Sequence, residues 1–405
     1  MDARAGGGSG GGRDLTQTAV LALLGRAGPM SRADLARELE LSPPTVTQVM
    51  KRLLEQGVVE QRDHAPSRGG RRATRIGLVG TSARAVGVKV AAEHLAVVDT
   101  RIDGTVMASH TVPFDPMDAD APGRLAAALR PFLDEAGPVP LLGVGVGVPG
   151  MVDSPDSGRV TAPMLRWDDV PLGRHLRGAL GLPVLVENDV NSVAAAEQLF
   201  GRGRRHRDFL VVTIGRGIGL AVVAGGVVYR GARGGAGEFG HVPVQADGPP
   251  CTCGNRGCLE AIIGSAGLVA TARESGVLRR AQGVERLQEL ADRGSAPARA
   301  IYAGAATQLG RAVAGLLTVL DPEVVIVLGE GTAAWPYWDA PFRGALHAAA
   351  TPAARSIPVE VESWDDTSWA QGAAALMLAT PFDLAGFAGR QAAGVLARFH
   401  GDLAG

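Results

Sequence analysis

Along the first 78 residues, apolar positions recur at helical spacing in three short runs. Leu15, Ala19, Val20, Leu23 and Leu24 share one face of a helix over about residues 15–25, which Gly25 and the Gly28-Pro29 pair stop. A second predicted helix starts at Ser31, an N-cap with Asp34 three residues on, and buries Leu35, Ala36 and Leu39. A third starts at Ser42, whose hydroxyl can cap while Pro43 takes the first helical position without losing a needed donor. Val46, Val49, Met50, Leu53 and Leu54 form its apolar arc, and Gly57 ends it. Residues 58–61 then read as a strand, Ser67-Arg68-Gly69-Gly70 as a turn, and residues 73–78 as a returning strand. That order predicts a winged helix-turn-helix.

The polar arc of the third helix presents Thr45, Thr47, Gln48, Lys51 and Arg52, with Ser42 at its start. Hydrogen-bonding and cationic side chains suit base edges and phosphates in a major groove. Arg68, Arg71 and Arg72 make the wing tip cationic. Taken singly, a polar helix face or an Arg-rich loop is ordinarily just solvated. The ordered set of helices, turn and basic hairpin points to DNA.

From Arg84 onward strands alternate with helices, as an α/β domain requires. Residues 85–106 read as strand, turn, strand, turn, strand, and residues 209–229 repeat that order. Residues 141–146 and 324–328 are near-continuous apolar runs, as central strands are. A duplicated β-meander followed by helices is the plan of the actin-like, ribonuclease H-like sugar-kinase fold, in which nucleotide and sugar sit between two lobes.

At 405 residues, two or three domains are expected, and 46% hydrophobic content with 20% charged residues excludes a disordered polymer. No run approaches 18 apolar residues, so no membrane span is readable. Residues 1–12 are Gly-rich without an apolar core and read as a flexible tail rather than a signal peptide. Residues 1–78 hold 12 Lys or Arg against 8 Asp or Glu, whereas the remainder holds 28 against 33. A basic front on an acidic body places a nucleic-acid partner at the front, although +4 is a small excess. The three cysteines, all between Cys251 and Cys258, make no disulfide framework and suit a reducing cytoplasm.

Four motifs carry a resemblance: Gly145-Val146-Gly147-Val148-Pro149-Gly150; Glu187-Asn188-Asp189-Val190-Asn191; Gly237-Glu238-Phe239-Gly240-His241; and the run from Cys251 to Glu260. In these the chain resembles the ROK family, which unites bacterial repressors with sugar kinases. The repressor branch also carries an N-terminal winged helix, so the resemblance covers nearly the whole chain. It implies a winged helix at residues 13–80 and a two-lobed sugar-sensing domain at residues 81–405, with a zinc loop at 241–258.

His241, Cys251, Cys253 and Cys258 offer an imidazole and three thiolates, a set that suits a closed tetrahedral structural zinc. A redox pair or unrelated free thiols are the other readings; a Cys251–Cys253 disulfide would close a very small, strained ring. Family members with this pattern hold zinc on the matching residues. The resemblance also implies that Asn188, Asp189, Glu238, His241 and Glu260 line a sugar pocket, with zinc orienting His241. Singly, each of these polar residues is better explained as a cap or a surface group. As a set, sugar contact is favoured.

Two function classes compete, a regulator and a bifunctional kinase. Backbone approach to ATP phosphates demands glycine in both hairpin turns. Gly215-Arg216-Gly217-Ile218-Gly219 keeps three glycines, but Lys89-Val90-Ala91-Ala92-Glu93 stands where family kinases carry Asp-x-Gly-Gly-Thr. The acid that organises magnesium has become a cation, and Leu328-Gly329-Glu330-Gly331 departs from the adenosine-side glycine run. Asp189, the kinase base by resemblance, remains. The expectation is a non-enzymatic regulator of carbohydrate genes, a homodimer or dimer of dimers on operator DNA, answering to a sugar or sugar phosphate. A DNA-binding protein with no ligand would leave the polar cluster unexplained.

Overall fold

The computed structural model describes residues 11–64, 74–134, 139–362, 364–383 and 385–400. The chain forms two compact units, Met1–Arg205 with Asp366–Gly405, and His206–Asp365.

The first unit opens with α1 (Gly11–Ala27). This helix is longer than the sequence pattern predicts and takes in Gly11 and Gly12, where the sequence predicts a flexible tail. Once Val20, Leu21, Leu23 and Leu24 are buried, adding turns beyond them needs only propagation, which glycine weakens but does not forbid. Residues 1–10 lie outside the described residues. The short β1 (Met30–Ser31) follows, then α2 (Arg32–Glu38), α3 (Pro43–Glu55), β2 (Val59–His64) and β3 (Thr74–Leu78). Ser31 accepts from the Asp34 N–H at 3.1 Å and Ser42 from the Thr45 N–H at 3.3 Å, so both caps stand as expected. The sheet order is β1-β3-β2. A two-residue strand has no periodicity to read, which is why β1 has no sequence signature. The wing turn with Arg68, Arg71 and Arg72 lies outside the described residues.

Next come the antiparallel β4 (Arg84–Val90), β5 (His94–Arg101) and β6 (Val106–Pro113), the last beginning where the predicted meander was expected to end. After α4 (Ala121–Asp134), β7 (Leu141–Val148) runs parallel to β4. The small strands β8 (Met151–Val152), β9 (Val160–Ala162) and β10 (Trp167–Val170) form their own sheet. Then α5 (Leu172–Leu180) leads to β11 (Val184–Asn188), parallel to β7, and α6 (Asp189–Leu199).

The second unit repeats the scheme with β12 (Phe209–Ile214), β13 (Ile218–Ala224) and β14 (Val227–Val228). Four helices, α7 (Leu259–Ile263), α8 (Ser265–Glu274), α9 (Val284–Asp292) and α10 (Ala296–Leu320), precede β15 (Val324–Leu328), α11 (Trp335–Ala349) and β16 (Val359–Val361). The two five-stranded sheets, β6-β5-β4-β7-β11 and β14-β13-β12-β15-β16, have the same order, so the duplication read from sequence is real. The 25-residue α10 is long and apolar enough to cross a bilayer. Here it buries Tyr302, Leu309, Val313 and Leu317 in the core of its unit and carries Arg299 and Arg311.

The chain then returns to the first unit as α12 (Asp366–Ala379) and α13 (Gln391–His400). A Cβ at Gly87 of β4 would run into the Ala370 carbonyl, and one at Gly145 of β7 into the Ala373 carbonyl. Glycine at both places lets the backbone of α12 lie directly on the sheet.

Candidate functional site

The candidate recognition face is built by the amphipathic split of α3. Val46, Val49, Met50 and Leu53 are buried, which fixes the helix on the head and leaves Thr47, Gln48 and Lys51 exposed. Thr45 and Arg52 are half-buried. Not every polar group is available to a partner. The Thr47 hydroxyl donates to the Pro43 carbonyl at 2.8 Å, and the Ser42 and Thr45 hydroxyls bond each other at 2.7 Å. Gln48 and Lys51 are the long exposed side chains left, with Lys51 only 3.9 Å from Glu55.

In the first unit the ends of β4 and β11 and the start of α6 converge. Asn188 is the N-cap of α6: its Oδ1 accepts from the Val190 and Asn191 N–H groups at 2.9 and 3.1 Å, and its Nδ2 donates to the Gly150 carbonyl at 2.9 Å. That leaves one amide N–H for anything else. Buried Glu187 supports the turn by accepting from the Asn188 N–H at 2.8 Å and from Asn191 at 3.2 Å. Asp189 accepts from the Val190 N–H through one oxygen, and its other oxygen pairs with the Lys89 ammonium. Each side chain of this pair is 13% exposed, and the Trp369 ring centroid lies 4.7 Å from Lys89 Nζ. The sequence marks Lys89 as a departure from the pattern the family resemblance implies, but does not show this contact. The two residues are 100 positions apart, and only the parallel β4–β7–β11 register brings them together. A cation at the end of β4, where the resemblance implies an acid, was the available signal.

In the second unit, the turn between β12 and β13 holds Gly215, Arg216 and Gly217. Glu330 lies in the 3₁₀ turn after β15, where Gly329 takes φ +103°, and its carboxylate accepts from the Arg216 N–H at 2.8 Å. Glu260, in the first turn of α7, accepts from the Ile218 N–H at 3.1 Å. Two amides of a turn suited to phosphate therefore hold internal carboxylates. A methyl on Gly217 would sit 2.7 Å from the Glu260 oxygen, so glycine is needed for the carboxylate to approach.

The ligand atoms of His241, Cys251, Cys253 and Cys258 all lie within 4.8 Å of one another, a group able to hold a metal ion. His241 Nδ1 is 3.3 Å from the Cys251 sulfur, and Cys253 and Cys258 are 3.7 Å apart. The other imidazole nitrogen is 3.6 Å from a Glu238 oxygen. Gly254 at φ +92° and Gly257 at φ +67° take the left-handed conformations that fold so short a segment round its own sulfurs. Burial and then the two neighbouring sulfurs push the Cys258 thiol up to about 12. The Asn255 backbone N–H instead holds Cys253 below its ordinary value. Of the five residues expected to line a sugar pocket, Asn188 and Asp189 belong to the first unit, and Glu238, His241 and Glu260 to the second.

The model of the ROK family matches residues 85–380, and that of the MarR family matches residues 12–73. A putative xylose repressor of Caldicellulosiruptor sp. (strain Rt8B.4) is 30% identical over 314 residues, spanning 74% of this chain and 78% of the relative. A solved ROK family transcriptional regulator, a homologue of the E. coli MLC protein, superposes with TM-score 0.79 at 23% identity, covering 96% of this chain and 99% of that one. A ROK family glucokinase from Streptomyces griseus, solved with glucose and AMPPNP, gives TM-score 0.64 at 26% identity, covering 72% and 98%.

Proposed function

The chain belongs to the ROK family, and from that premise we propose that it is a sugar-responsive, sequence-specific transcriptional repressor of carbohydrate genes that has no kinase activity. Residues 13–80 are its DNA-binding head and residues 81–405 its sensing domain. The observation that carries this reading is α3, whose exposed Gln48 and Lys51 stand on a helix fixed by its buried arc in a MarR-type winged helix. Thr45, Thr47 and Arg52 complete that face, Ser42 caps it, and Arg68, Arg71 and Arg72 of the wing add phosphate contacts.

Asn188, Asp189, Glu238, His241 and Glu260 bind the hydroxyls of a monosaccharide or its phosphate. The relative's name, putative xylose repressor, supports a sugar as the ligand. His241, Cys251, Cys253 and Cys258 hold a structural zinc. Three thiolates and an imidazole are its preferred donors, and the 3.7 Å between Cys253 and Cys258 matches the tetrahedral edge of about 3.8 Å implied by zinc–sulfur bonds of about 2.3 Å. The absence of catalysis is supported by Lys89 on Asp189 and by Glu330 and Glu260 on the amides of the glycine turn. A bifunctional kinase is the alternative, favoured by the retention of Asp189 and of that turn. The working form is a cytoplasmic homodimer, or a dimer of dimers, whose two heads read half-sites about 34 Å apart or a multiple of that.

The test is selection of genomic fragments by the full-length protein, followed by titration of the selected DNA with and without D-xylose, D-glucose and their phosphates. A selected site whose affinity changes about 5- to 150-fold with one of these sugars is the expected result. Failure to select any sequence overturns the reading.

A further inference from the structure

The head and the first lobe share one core. Leu21 and Leu24 of α1 and Leu78 of β3 belong to the same buried cluster as Leu199, Leu378 and Phe382 of the lobe. Two lobe elements meet the C-terminal end of α1. Arg204, in the 3₁₀ turn that follows α6, donates to the Gly25 carbonyl at 3.3 Å. That carbonyl lies in the last turn of α1, where the helix supplies no partner of its own and a cation is favoured. Phe382, in the 3₁₀ turn that follows α12, has its ring 3.4 Å from the point a methyl on Gly25 would occupy.

The same two elements begin at the polar site. α6 starts at Asp189, and α12 carries Trp369 within a turn of its own start. Lys89 joins them, its ammonium paired with Asp189 and set against the Trp369 ring. Between their ends the helices touch backbone to backbone, for a Cβ at Gly372 would lie 3.0 Å from the Val193 nitrogen. Helices packed this closely shift as bodies rather than deform, over about 16 Å for the eleven residues of α6.

We propose that the Lys89–Asp189 pair is the sensing contact of this protein and that Arg204 and Phe382 are the positioning residues that carry its state to α1. The inference rests on the reading above, in which Asp189 accepts hydroxyls of a polyhydroxylated ligand. A carboxylate that turns to such hydroxyls must share or release Lys89, and the join between the starts of α6 and α12 changes with it. The far ends of both helices hold Gly25, so the head moves or loosens.

The experiment uses the full chain without sugar. Lys89→Gln and Asp189→Asn break the pair from opposite sides, and each is also made in an Arg204→Met, Phe382→Leu background. Hydrogen exchange is read at residues 24–28, and affinity is read on DNA selected by the wild-type protein. Either single variant should speed exchange several-fold and change operator affinity about 5- to 150-fold. In the second background both effects should fall below about twofold. Exchange that neither variant alters, or effects equally large in the second background, would overturn the proposal. A chain that selects no DNA overturns the regulatory reading instead, while exchange, which needs no operator, still decides the relay.

Discussion

The Glu330 carboxylate accepts a hydrogen bond from the Arg216 backbone N–H at 2.8 Å, so that an internal anion fills a backbone donor of a kind suited to phosphate. Glu330→Gly should therefore raise affinity for MgAMPPNP by about tenfold or more, since a phosphate no longer competes with a fixed like charge. No turnover is expected from this variant, because Lys89 still pairs with Asp189 and phosphoryl transfer depends on positioning and charge neutralisation. Calorimetry with the nucleotide and a coupled assay with a sugar that binds are the measurements. Wild-type turnover near 1 s⁻¹, the floor typical of kinases, abolished by Asp189→Asn, would establish the bifunctional alternative.

On DNA, Gln48 and Thr47 should separate although they are neighbours. The Thr47 hydroxyl is already given to the Pro43 carbonyl, whereas Gln48 is exposed. Gln48→Ala should cost about 1–3 kcal/mol at one base pair of each half-site and relax the preference there. Thr47→Ala should cost less, since only a methyl contact is lost. Replacing Arg71 and Arg72 together should leave sequence preference intact and flatten the salt dependence by nearly one slope unit for each lost phosphate contact. Competition binding against single-base operator variants at several salt concentrations reads all three.

What was legible in the sequence was whatever local periodicity and glycine placement encode. The caps at Ser31 and Ser42, the buried arc of α3 and the second β-meander stand where the sequence pattern put them, while the first meander runs on through β6 to Pro113, beyond its expected end at residue 106. Long-range polar pairing was not legible. Lys89 read as a missing magnesium ligand, and its partner Asp189 emerges only from strand register. The pattern that offers Asn188 as a sugar contact did not show that its oxygen also caps α6 by accepting from two amides, which leaves one amide N–H for a ligand. The boundary at residue 80 reads from the end of a strand pattern, which carries no information that Leu78 packs in one cluster with Phe382.

At the cysteine loop, binding a cation must displace thiol protons, most of all from Cys258, which burial and its neighbours push up to about 12. A site that needs thiolates loses affinity as pH falls, so apparent zinc affinity should drop by about two to three decades per pH unit below neutrality. Cys253→Ser should remove the metal and weaken sugar binding, through the loss of orientation at His241. Elemental analysis should find about one zinc per chain. Stoichiometric iron, or no metal in freshly reduced protein, would overturn the assignment.

The shared core makes a prediction about stability that an independent head would not satisfy. Leu24 of α1 is 2% exposed and lies in the cluster that also contains Leu142 of β7 and Ala374 of α12. Leu24→Ala removes buried methyl and methylene groups and leaves a cavity, at about 2–5 kcal/mol. If head and lobe form one cooperative body, that loss is felt by both. Amides of α3 and amides of β7 should then lose protection at the same, lowered denaturant concentration. A head joined only by its chain would behave otherwise, with α3 opening early and β7 holding its wild-type midpoint. Hydrogen exchange across a urea series distinguishes the two outcomes. The expected single midpoint is also what a signal passing from Lys89 to α1 requires, since a head that opened alone could not be moved by the lobe.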